Sequence, residues 1–147
     1  MPMKSIMAIL FLLCGSSSAY AEWVQLTNGI RDNDTKANSL FINYATATKE
    51  ADYRPVLDKW FGENVTVWSV WTKSLYRYTQ WIPNNGGGYA SQTVLYKIHC
   101  ENKIFWSTAL QRTDRDGKQI YSDTRKTSAQ PIQPDSIAQT IYLKLCK

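Results

Sequence analysis

Histidine occurs once in these 147 residues and cysteine three times. That scarcity removes most metal frameworks, since structural zinc needs four thiolate or imidazole ligands at characteristic spacing. Other chemical signatures are missing as well. There is no Gly-x-Ser-x-Gly elbow and no glycine-rich phosphate loop carrying a lysine. Gly86-Gly87-Gly88 lacks both the lysine and a following helix, so with Pro83-Asn84-Asn85 it reads as a flexible turn. No internal repeat appears. Past Leu13 no apolar run approaches the roughly 20 residues of a membrane-spanning helix. Nothing calls for a cofactor or a metal, and no enzyme class gains positive support.

The amino-terminal end is more informative. Lys4, the apolar run Ile6 to Leu13 and the small-x-small site Ala19-Tyr20-Ala21 form a secretory signal peptide over residues 1–21. Cys14 closes the apolar run, but Leu13 stands where a lipoprotein site carries a small residue. The Ala-Tyr-Ala site is the better match and would discard Cys14. A single exported domain over residues 22–147 is the expectation. Losing Lys4 from the 17 basic residues leaves 16 against 12 acidic ones, and the excess lies wholly after Tyr96. This suits acidic surfaces and is too weak to point to nucleic acid.

Two cysteines remain after cleavage, Cys100 and Cys146. An even count in an oxidising compartment reads first as a disulfide. The alternative is a Cys100–His99 nucleophile pair. Neighbours on a strand point to opposite faces, so His99 turns away from the thiol. His99 is expected at the surface or rim.

Alternating apolar and polar residues mark strands at Trp23–Thr27, Ser39–Tyr44, Asn64–Thr72, Ala90–Cys100, Ile104–Arg112 and Lys118–Thr127. Glu101-Asn102-Lys103 and Asp114-Arg115-Asp116-Gly117 are tight turns, the second with a strong Asp-Gly hairpin signal. Such short connections make an antiparallel meander. Residues 45–62 show no clear period, and Pro55–Phe61 fits a short helical turn or a loop. At the carboxyl end Ile137, Ile141 and Leu145 recur at helical spacing, with Ser136 and Gln139 placed as a capping box. The fold class is α+β: an antiparallel sheet of about six strands with one C-terminal helix packed on it and tethered through Cys100–Cys146.

Six tryptophans are many for this length. Most belong to packing, but Trp68 and Trp71 face opposite sides of one strand. A sheet covered on one face by a single helix leaves some aromatics exposed for a protein partner, a homodimer contact or a glycan. Basic residues gather around the last hairpins: Lys97, then Lys103, Arg112, Arg115, Lys118, Arg125 and Lys126. The last six are the candidate partner-binding residues, for a sulfated glycan, an acidic protein segment or anionic lipid, although Asp114, Asp116 and Asp123 dilute them.

Several motifs then combine. Trp23-Val24 follows the signal peptide directly, and Val65-Thr66-Val67-Trp68 forms a strand core. Tyr89-Ala90-Ser91-x-Thr93-x-Leu95-Tyr96 runs into Cys100, Lys103 opens the next strand, and Pro134 and Ser136 open a helix ending in Cys146. The combination resembles the surface-adhesin protein E family of Gram-negative bacteria. The resemblance implies a six-stranded sheet with the helix tethered by Cys100–Cys146 and a place at the cell envelope. For the namesake it implies adhesion to host extracellular-matrix proteins such as vitronectin and laminin. Residues 44–62 depart from it, being longer and lacking the family's Tyr-x-Asp-x-x-Ser-Ile pattern. The expected function is a non-enzymatic envelope binding protein; the alternative is a periplasmic protein that inhibits an enzyme or supports an assembly.

Overall fold

Two strands run far beyond the stretches where the period of two is visible in the sequence. The computed structural model describes residues 22–26, 37–53, 64–84 and 86–147. The strands are β1 (Val24–Leu26), β2 (Ala37–Tyr53), β3 (Asn64–Trp81), β4 (Gly88–His99), β5 (Ile104–Thr113), β6 (Gln119–Asp123) and β7 (Gln130–Pro131), followed by helix α1 (Ile137–Leu145). They form one antiparallel sheet in chain order from β1 to β6, with β7 pairing the start of β5 beside β6. The expected α+β architecture is present. The signal peptide and the Pro55–Phe61 segment lie outside the described residues.

The differences have local causes. β2 continues from Tyr44 to Tyr53 because a bulge absorbs residues 44–47, the register jumping between Asn43 and Thr48. The Thr46 hydroxyl holds it, donating to the Asn43 carbonyl at 2.7 Å and accepting from the Trp71 amide at 3.3 Å. Bulges bend the strand and increase its twist. β3 does not stop at Thr72 but reaches Trp81, with Thr72 and Ser74 as buried polar residues on its inner face. The Lys118–Thr127 strand is in fact short, ending at Asp123, after which the chain drops back along β5.

One face of the sheet carries the helix. Leu40, Ile42, Val70 and Ile98 meet Ile137, Ala138 and Ile141 of α1, with Trp68, Tyr96 and Phe105 packed at the margin. Full burial of each such aliphatic side chain stabilises by about 1.5–3 kcal/mol. Ser136 caps the helix by accepting from the Gln139 amide at 3.1 Å, while the Gln139 side chain accepts from the Asp135 amide at 2.6 Å. Replacing Ser136 with alanine should lower the unfolding free energy by about 1 kcal/mol. Urea denaturation followed by circular dichroism measures this, and an unchanged midpoint would contradict it. The helix is stapled at its far end by Cys100–Cys146, whose Cα atoms are 5.5 Å apart, a normal separation for the bond.

The opposite face has a smaller core of Val67, Ile104 and Trp106. It exists because the sheet curls. β2 and β5 would lie roughly 14 Å apart in a flat sheet, yet the fully buried Trp106 indole donates to Asp52 at 3.3 Å. Lys97 of β4 pairs with Glu50 of β2 across the same hollow and donates to Ser69 at 3.1 Å. Burial holds the Lys97 ammonium below the usual lysine range, and the nearby Lys126 charge adds to this. This curl also corrects the reading of His99. It does face away from Cys100, as alternation requires, but it is buried rather than at the surface, opposite Ile104 in the register.

Candidate partner-binding surface

Arg115 ties two hairpin tips together. It leaves the β5–β6 turn, donates through Nη2 to the Arg77 carbonyl at 2.9 Å and through Nε to the Thr79 hydroxyl at 3.3 Å. Its own turn is held by Asp114, whose carboxylate accepts from the amides of Asp116 at 3.0 Å and Lys118 at 2.9 Å. Gly117 supplies the left-handed backbone there, with φ at +85°.

The β3–β4 tip is fixed by its glycines. Ile82 donates its amide to the Gly87 carbonyl at 3.0 Å. Gly88 lies opposite Trp81, and a Cβ there would fall 2.5 Å from a Thr79 methyl and 3.3 Å from the indole. The missing side chain is the seat of the Trp81 ring. The segment expected as a flexible turn is therefore packed against its neighbours. Trp81 nevertheless keeps 74% of its surface exposed and Tyr78 keeps 70%, with the Arg77 guanidinium 5.6 Å from the Tyr78 ring.

The six predicted basic residues do not lie together. Arg115 and Lys118 stand at this end. Lys103 tops the β4–β5 turn in a left-handed conformation at the other end of β5, roughly 30 Å away along the strand. Arg112 is held within the sheet. It donates to Gln92 at 3.0 Å and lies over the Tyr89 and Tyr121 rings, at 4.7 and 5.3 Å. Arg125 grips Asp123 at 2.7 Å and keeps that carboxyl well below the ordinary range. Lys126 pairs with Asp52 and also reaches the Tyr53 carbonyl at 3.4 Å. Lys103 and Lys118 form no side-chain ion pair or hydrogen bond among the described residues.

Sequence reasoning missed Arg77, Tyr78 and Trp81. The usable signal was a tryptophan seven residues before a glycine across a Pro-Asn turn, a pairing in which the ring covers the bare backbone. The Cys100 thiol is consumed in the disulfide, so the Cys-His arrangement contains no nucleophile. No group of three histidine, cysteine or acidic residues gathers as a metal site among the described residues. No helix among them is long and apolar enough to cross a membrane.

The model of the Surface-adhesin protein E family matches residues 23–147. The chain belongs to that family. The match spans the whole sheet, the helix and both cysteines of the staple, in agreement with the motifs from Trp23 to Cys146. No curated protein and no solved structure matches it. A surface-adhesin protein acts by holding another molecule, and the paired hairpin tips present aromatic and cationic groups outward.

Proposed function

We propose that this surface-adhesin E protein is exported by the leader at residues 1–21 and works without catalysis. Its domain of residues 22–147 holds a host extracellular-matrix protein, or the sulfated glycan such proteins carry, at the bacterial envelope. The carrying observation is the exposure of Trp81 and Tyr78 on a tip locked by Arg115. Tryptophan, tyrosine and arginine dominate binding hot spots, and a tip already ordered loses less entropy on association. Lys118 adds steering toward acidic partners. Lys103, Arg112, Arg125 and Lys126 take lesser parts in this reading, the last three because their charges are already engaged within the fold.

Binding of the purified domain to immobilised vitronectin and laminin tests it. Trp81→Ala should weaken association at least tenfold and Lys118→Glu severalfold, the latter most at low salt. Lys103→Glu should have little effect. All three positions are exposed, so these substitutions leave the core untouched. Undiminished binding by Trp81→Ala would remove the tip from the account, and labelling of intact cells decides whether the protein reaches the outer surface.

A further inference from the structure

A concave site lies at the end of the sheet opposite the hairpin tips, where β3 begins, β4 ends and α1 ends. It is an open cleft of about 870 Å³, lined among others by Lys49, Trp68, His99, Asn102, Tyr142 and Lys147. The Cys100–Cys146 staple forms part of its wall, so the position of the helix end, and of Tyr142 with it, is fixed. Trp68 and the Lys49 ammonium stand together, 5.9 Å apart.

His99 is the unusual member. Its side chain is more than nine-tenths buried, yet Nδ1 has no hydrogen-bond partner among the described residues, and Nε2 lies 3.9 Å from the Glu101 carboxylate. That distance is too long for a hydrogen bond. A buried polar nitrogen left without a partner is uncommon and costs about 1–3 kcal/mol unless something satisfies it. Here it borders a cleft rather than a sealed core.

We infer that this cleft is a binding site for an acidic saccharide, one whose sugar ring carries a carboxylate or a sulfate. Lys49 and Lys147 supply charge for the acid; Glu101 also lines the cleft, with a side chain 88% exposed that is free to turn toward solvent. Cations alone would accept any acid. The indole of Trp68 and the phenol of Tyr142 add flat apolar surface for ring C–H groups, and the Asn102 amide with the Asn64 and Thr66 side chains adds partners for hydroxyls. An acidic peptide is the lesser fit, because extended peptides are ordinarily taken along a sheet edge by backbone pairing. The inference stands apart from the hairpin-tip reading, since the two sites share no residue.

The single histidine makes the test unambiguous, because every imidazole signal belongs to His99. The untagged domain is titrated with a heparin-derived tetrasaccharide, with neutral maltotetraose and with hexaglutamate, following the His99 ring resonances by NMR. The heparin fragment should shift them saturably, and the other two should leave them in place. Lys49→Ala, at an exposed position, should weaken the heparin effect at least tenfold, whereas Lys118→Glu should leave it unchanged. No shift with heparin, an equal shift with either other probe, or indifference to Lys49→Ala would overturn the assignment.

Discussion

Replacing Cys100 and Cys146 together with serine should lower the unfolding free energy by about 4 kcal/mol, the chain-entropy estimate for a bond closing a separation of 46 residues. This is a large part of the roughly 5–15 kcal/mol that holds a domain of this kind together. The loss should fall first on α1. Nine residues are too few to be helical alone in water, and the helix is kept by burying Ile137, Ala138 and Ile141 on the sheet. Urea unfolding of the double variant should show a lower midpoint than the oxidised protein, and reduction of the native protein should reproduce it. A midpoint that does not move would mean that the helix contact alone suffices.

The second large effect comes from the hollow under the curl. Glu50→Ala removes the partner of a buried ammonium and leaves Lys97, among the described residues, with only the Ser69 hydroxyl. Breaking a buried ion pair from one side costs about 3–5 kcal/mol. Glu50 is itself 40% exposed, so solvent screening brings the expected loss to about 2–3 kcal/mol. The double replacement Glu50→Leu with Lys97→Met should recover most of it, because desolvation of the charge is then avoided. Equilibrium unfolding of the two variants checks the contrast. If the double variant is as weak as Glu50→Ala, the charges act through something other than their mutual neutralisation.

The hairpins around Lys103 and Gly117, the cap at Ser136 and the cysteine staple were all legible because each rests on residues adjacent in the chain or on simple counting. β2 was not, since Tyr44 to Ala47 form a bulge and a bulge breaks the period of two on which strand recognition depends. β3 faded from view at Thr72 because the face that turns inward there carries Thr72 and Ser74, so burial and hydrophobicity part company. His99 was misplaced for a related reason. Alternation tells which side of a strand a residue takes, but only the bending of strands two places apart decides whether that side is wet. Charge was the least informative feature. Arg112 and Lys118 look alike in the sequence, yet one lies over two tyrosine rings and the other stands in water.

The order of the strands carries a consequence for biogenesis. Each strand from β2 to β6 pairs with the one made just before it, so a chain emerging amino end first can zip up hairpin by hairpin without waiting for distant segments. Cys146 follows every one of those strands. Oxidation with Cys100 therefore becomes available only after the sheet and the helix have both emerged, and the bond acts as a seal set at the end of maturation.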